Sequence, residues 1–136
     1  SAGIAKNATV YAIDSSKQGE KGVYPKITLE MYQALKNQGV TIYNQSFGID
    51  GVVTDFNNTS TSSHYYGHQI GSNILEFYRD EVNNGSLFVW AAGNTTLLEG
   101  GRRITYNVPT LQAGLPTYIP ELHKGCIAVI GVKPDV

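Results

Sequence analysis

The chain has 136 residues, of which 41% are hydrophobic and 15% charged, so it has the size of one domain with a sizeable core. Its formal net charge is −1 and its only adjacent basic pair is Arg102-Arg103, which argues against a nucleic-acid partner. No apolar stretch approaches the roughly 18 residues of a membrane-spanning helix, and a single cysteine, Cys126, excludes an internal disulfide and a cysteine-based metal cluster.

The first third of the chain predicts a strand, a helix and a second strand. Residues 9–14 are rich in β-branched and aromatic side chains and predict a strand, which follows a turn at residues 6–8. Apolar side chains on one face predict a helix over residues 25–38, with Gly39 as its stop. Residues 41–46 then predict the second strand.

The rest of the chain predicts one more helix and two more strands between long loops. Residues 49–67 are polar without periodicity and predict a surface loop. Apolar residues recur at helical spacing over 69–82, and the unbroken apolar run within residues 86–94 predicts a strand buried on both faces. Glycines and prolines interrupt any helical period in residues 95–125 and predict a loop, before a last strand at 127–132.

This order of elements predicts the α/β class: a parallel sheet, connected by right-handed crossovers, with helices packed on it. We expect an incomplete piece of about four strands and two helices, because the chain has no terminal helices to cover the edges of such a sheet. The prediction is therefore that residues 1–136 form a single fragment of a larger domain. Sheet edges cut in this way could allow self-association.

Polar and small residues follow several of the predicted strands, and they would meet at one edge of the sheet: Asp14, Ser46, Gly48, Gly93 and Asn94. Ligands of open α/β sheets bind at this edge, beyond the carboxyl ends of the strands. The amide of Asn94, after two alanines and a glycine, could donate to an oxygen that becomes negative during acyl transfer. Gly-Asn is also a common turn dipeptide, and position in the chain alone favours the turn.

Other arrangements of reactive side chains are weaker. His64 and His68 have the spacing of two zinc ligands on a helix, but the surrounding residues favour a solvated loop and helix start, and we predict no metal site. Ser46, His68 and Asp14 could be composed into a triad on paper, yet triads are recognised by geometry, not by residue types. Cys126 opens an apolar run and is predicted to be a small buried residue, not a nucleophile.

Three motifs occur in order along the chain: Gly3-Ile4-Ala5-Lys6-Asn7-Ala8-Thr9-Val10-Tyr11-Ala12-Ile13, Asn44-Gln45-Ser46-Phe47-Gly48, and Val89-Trp90-Ala91-Ala92-Gly93-Asn94. In this order and spacing they resemble the middle of the catalytic domain of the subtilisin-like serine proteases, the subtilases. Residues 115–118 and 126–132 resemble the stretch in which a proline-bearing loop of that family re-enters the sheet. The resemblance spans nearly the whole chain and implies the three-layer subtilisin-like fold.

The resemblance also implies roles for individual residues. Asn94 would be the oxyanion-hole donor of a serine endopeptidase, and a protein or peptide would be the substrate. The substrate-binding residues would be Ala91, Ala92 and Gly93 in the pocket for the residue before the scissile bond, Ser46, Phe47 and Gly48 along one edge of the substrate, and Glu20, Lys21 and Gly22 along the other.

The three triad segments of the family, Asp-Ser/Thr-Gly, His-Gly-Thr and Gly-Thr-Ser-Met-Ala, do not occur in residues 1–136. By chain order, the first two would precede Ser1 and the third would follow Val136. We therefore expect the parent protein to hydrolyse peptide bonds through a Ser-His-Asp triad and this fragment alone to be inactive.

The resemblance implies no cofactor, although many subtilases carry calcium, and it implies a secreted or cell-surface protein. The long segments 49–67 and 95–114 are similar to insertions in large secreted or autotransported bacterial members. The alternative from a different class is a non-catalytic α/β domain of doubly wound type that binds a ligand or a partner. Triad segments encoded on either side of these residues would distinguish the two.

Overall fold

The computed structural model describes residues 5–14, 27–48, 70–93, 96–99, 102–105 and 109–131. The chain divides into two compact units, residues 1–40 and 41–136. In the first unit, the Ala8 N–H donates to the Ala5 carbonyl at 3.1 Å and closes the predicted turn. Helix α1, Leu29–Asn37, follows later in the same unit. The helix ends at Asn37, and Gly39, two residues later, has a φ of +81° that suits a glycine and confirms the predicted stop.

Residues 9–14, predicted as a strand, pair with no strand in the part of the chain that the structure describes. Val10 is 84% exposed, and Tyr11 and Ile13 are exposed as well. Strand propensity measures how well a side chain suits a pleated, half-buried surface, and it does not supply the neighbouring strand. The composition of residues 9–14 was therefore a poor guide to their structure.

The second unit contains the sheet. Its elements are β1 (Ile42–Gln45), α2 (Ser72–Asn83), β2 (Leu87–Ala91), β3 (Thr96–Glu99), β4 (Arg102–Thr105), α3 (Leu111–Tyr118), a 3₁₀ helix (Pro120–Gly125) and β5 (Cys126–Val129). Strands β1, β2 and β5 form a parallel sheet with β2 in the centre. This confirms the predicted α/β class with a parallel sheet and helices packed on it. The predicted loop 49–67 lies outside the described residues.

The segment after β2 is more ordered than its sequence predicts. Strands β3 and β4 form an antiparallel hairpin, and α3 and the 3₁₀ helix follow where a loop was expected. Helix α3 contains Pro116, which removes one backbone donor and normally breaks a helix interior. The helix is nevertheless formed, since its Leu111 and Leu115 side chains are completely buried. Tertiary burial here outweighs the local signal of the proline.

An aromatic cluster joins α2 to the sheet. The Phe88 and Trp90 side chains of β2 are buried, with ring centroids 4.9 Å and 5.2 Å from that of Tyr78 on α2. The Tyr43 ring of β1 stacks on Phe88 at 4.7 Å. Such pairs contribute about 0.5–1.5 kcal/mol each beyond their buried area.

Among the described residues, no helix is long and apolar enough to cross a membrane.

A buried carboxyl group lies at the edge of this cluster. Glu81 of α2 is 3% exposed, and its Oε2 accepts hydrogen bonds from the Tyr43 hydroxyl at 3.1 Å and the Ser86 hydroxyl at 2.9 Å. The two donors come from β1 and from the residue before β2. The hydrogen bonds therefore connect the helix to both strands and satisfy a group that would be costly to bury alone.

We expect Glu81→Ala to lower the free energy of unfolding by about 2–4 kcal/mol, because it removes the acceptor of two buried hydroxyls and leaves a cavity. Chemical denaturation measures this change. Glu76→Ala is the matched control, since Glu76 lies on the same helix but is exposed, and it should change stability by less than about 0.5 kcal/mol. Equal effects of the two substitutions would contradict a stabilising role for the buried hydrogen bonds.

Gly125, at the end of the 3₁₀ helix, allows this helix to pack closely against α2. A Cβ atom there would lie 2.7 Å from Val82 Cγ2 and 2.9 Å from the Ser86 carbonyl oxygen. We expect Gly125→Ala to destabilise the protein by about 1–3 kcal/mol through overpacking. Thermal unfolding tests this against Gly131→Ala, where a Cβ would meet nothing within 4 Å. A Gly125→Ala protein as stable as the Gly131→Ala protein would contradict the close packing.

Cys126 begins β5, and burial raises the pKa of its thiol from 9.0 to about 12. In the folded protein the thiol therefore stays neutral well above pH 9, whereas in the unfolded chain it ionises near pH 9. The free energy of unfolding should fall as the pH rises from the unfolded pKa towards 12. We expect Cys126 to react with iodoacetamide at pH 8 much more slowly in the folded protein than in denaturant. Peptide mass mapping measures the reaction at this residue, and equal rates would rule out the protection.

Candidate active site

The parallel pairing of β1 with β2 brings two of the predicted substrate-binding segments together. The last aligned pair is Gln45 with Trp90, so both strands reach their carboxyl ends at the same edge of the sheet. Residues 46–48 leave β1 there, and residues 91–93 end β2 at the same level. This is the edge at which open α/β sheets place their ligands.

Five of the six residues in these two segments have small side chains, and Phe47 is the exception. Ala91 and Ala92 are partly buried, and Gly93 is exposed with a φ of +100°, a conformation that other residues rarely adopt. On the other side, Ser46 and Phe47 are exposed. None of the residues in 46–48 or 91–93 carries a titratable side chain. These six residues therefore supply no acid or base for catalysis.

Thr110, which the sequence interpretation did not single out, holds the end of β2 in place. Its hydroxyl donates to the Ala91 carbonyl at 2.7 Å, and its N–H donates to the Ala92 carbonyl at 2.9 Å. Thr110 is also the N-cap of α3, with its Oγ1 accepting from the Ala113 N–H at 3.4 Å. A threonine directly before an apolar run is a known helix-start signal, and this signal could have identified it.

The same threonine lies against both segments. A Cβ atom at Gly48 would lie 2.6–2.9 Å from three side-chain atoms of Thr110, and one at Gly93 would lie 3.1 Å from its Cγ2. The backbones of Gly48 and Gly93 therefore both contact the Thr110 side chain. Glycine is required at Gly48 by this close approach, and at Gly93 by its φ as well.

Several predicted residues lie outside the described part of the chain: Asn94, Glu20, Lys21, Gly22, His64 and His68. Asp14 is described and exposed, but it belongs to the 1–40 unit. Among the residues that the structure does describe, no group of three His, Cys, Asp or Glu side chains could hold a metal ion. The structure thus brings together residues 46–48 and 91–93 of the predicted site and adds Thr110 to them.

Comparison with known proteins bears on the origin of this arrangement. No curated protein and no solved structure gave a significant match to the chain. The family model described as the subtilase family matches residues 1–135, which is nearly the entire sequence. This match covers both segments of the candidate site, and we conclude that the chain belongs to the subtilase family of serine proteases.

Proposed function

We propose that the protein containing this chain is a subtilisin-like serine endopeptidase, and that residues 1–136 supply its oxyanion-hole donor and its substrate-binding edges. The observation that supports this most directly is the meeting of residues 46–48 and 91–93 at the carboxyl edge of the sheet. In the subtilase family these two motifs border the substrate. Here the pairing of β1 with β2 and the shared contact with Thr110 bring the same motifs side by side.

The backbone of the substrate would be bound as an added strand. In this proposal, residues 46–48 form one edge and residues 20–22 the other, and main-chain hydrogen bonds hold the peptide regardless of its sequence. The small residues Ala91, Ala92 and Gly93 would leave room for the side chain before the scissile bond. Ser46 and Gly93 are both exposed, which is compatible with such binding.

Asn94, the residue after Gly93, would act on the transition state. When the serine nucleophile attacks the peptide carbonyl, the carbonyl oxygen becomes negative. The amide NH₂ of Asn94 would donate a hydrogen bond to that oxygen. Because this donation is strongest in the tetrahedral intermediate, it would lower the barrier more than it strengthens substrate binding.

The aspartate, histidine and serine of the triad would come from parts of the protein other than residues 1–136. We accordingly propose that a polypeptide of residues 1–136 alone is inactive. The proposal uses no cofactor, and proteins or peptides are the substrates. A secreted or cell-surface location and self-association through sheet edges stay predictions from the sequence.

We expect Asn94→Ala in the intact protein to reduce kcat while leaving KM nearly unchanged. The magnitude is taken from a subtilisin, in which loss of the oxyanion-hole asparagine lowers kcat on the order of 10²–10³-fold. Hydrolysis of a chromogenic peptide measures it, with circular dichroism to verify folding. Asn37→Ala, at the exposed end of α1, is the matched control and should keep full activity.

Unchanged turnover in a folded Asn94→Ala protein would remove the oxyanion role. Labelling of the intact protein with a fluorophosphonate identifies the nucleophile independently. The labelled serine should lie outside residues 1–136, and labelling at Ser46 would contradict the proposed division of the site.

A further inference from the structure

The carbonyl groups of Ala91 and Ala92 both accept hydrogen bonds from one residue, Thr110. The bond from its hydroxyl is 2.7 Å long and the bond from its N–H is 2.9 Å. On the other side, the Ala92 N–H donates to the Val129 carbonyl at 2.9 Å. The backbone at the end of β2 is therefore held from both sides immediately before Gly93.

The contacts of Thr110 suit anchoring of the end of β2 better than they suit helix capping alone. Its hydroxyl is 2.7 Å from the Ala91 carbonyl oxygen but 3.4 Å from the N–H that a helix cap should bind. A distance of 3.4 Å is long for an N–H···O bond, whereas 2.7 Å is the usual length for O–H···O. The residue is also only 4% exposed, so water does not readily replace the shorter bond.

The side chain of Thr110 also contacts both of the proposed substrate-binding segments. Its atoms lie against the backbone at Gly48 and at Gly93, at distances that would exclude a Cβ atom at Gly48. One small side chain therefore limits how closely both backbones approach it. A neighbour that is 96% buried and bonded to the strand end has little freedom to move.

We propose that Thr110 is a positioning residue for peptide hydrolysis: its hydroxyl fixes the backbone at the end of β2, from which the sequence continues through Gly93 to the proposed oxyanion donor Asn94. This inference rests on the proposed function. An oxyanion donor is effective only within about 2.7–3.1 Å of the developing charge. Displacement of a catalytic group by about 1 Å can cost on the order of 100-fold in rate, so the anchoring of the preceding residues controls turnover.

Two substitutions in the intact protein separate the hydroxyl from the rest of the side chain. Thr110→Val keeps the shape but loses the bond to the Ala91 carbonyl, and Thr110→Ser keeps the hydroxyl and loses only a methyl group. We expect Thr110→Val to lower kcat about tenfold or more with KM within about threefold, and Thr110→Ser to keep kcat within about threefold. The inhibition constant of a peptide aldehyde should rise in Thr110→Val in proportion to the loss of kcat. The dissociation constant of a matching uncleaved peptide should stay unchanged.

The possible results distinguish the two levels of the hypothesis. A folded Thr110→Val protein with wild-type kcat and a lower melting temperature would show that Thr110 is only structural, and would overturn the inference while the proposed function stands. An intact wild-type protein that hydrolyses no peptide would overturn both. If Thr110→Val does not fold, Thr110→Ala carries the same test, and failure of both variants to fold would assign Thr110 to folding instead of positioning.

Discussion

The burial of Phe88 and Trp90 is the constraint on which the rest of the structure depends. These side chains lie two residues apart on β2, so both point to the same face of the sheet. This is the face covered by α2, where both rings contact Tyr78. A shift of one residue in the register would turn both rings to the opposite face. The aromatic cluster therefore fixes the register of β2, and with it the level at which residues 91–93 leave the sheet.

Stability and the proposed function are divided between neighbouring residues at the end of one strand. Phe88 and Trp90 are almost completely buried and bind the strand to the core, whereas Ala91 to Gly93 contribute little apolar area. Small residues are suited to a site in which a substrate must approach the backbone, but they cannot hold that backbone themselves. Thr110, which belongs to a different part of the chain, holds this backbone in place. It donates hydrogen bonds to the carbonyls of Ala91 and Ala92, the two residues that follow Trp90.

Much of the fold could be predicted from periodicity, because the three parallel strands and α2 have strong patterns bounded by glycine or asparagine. The failures have a common cause. Residues 9–14 have the composition of a strand, but pairing depends on a partner that composition does not report. Conversely, α3 contains Pro116 and reads locally as a loop, yet the burial of Leu111 and Leu115 supports a helix. Local signals are reliable where the tertiary environment agrees with them, and each error lies where it does not.

The candidate site shows the same limit in another form. The spacing of small residues after β2 indicated where a ligand would bind, but position alone favoured a turn for Asn94, and only the ordered family motifs supported a catalytic interpretation. Thr110 was missed since its role depends on the approach of three segments that are distant in sequence: the end of β1, the end of β2 and the start of α3. A threonine before an apolar run predicts a helix cap, and that prediction would have been correct but incomplete. Its shortest bond is to a strand carbonyl, and this makes the cap of one helix also the anchor of the strand that leads to Asn94.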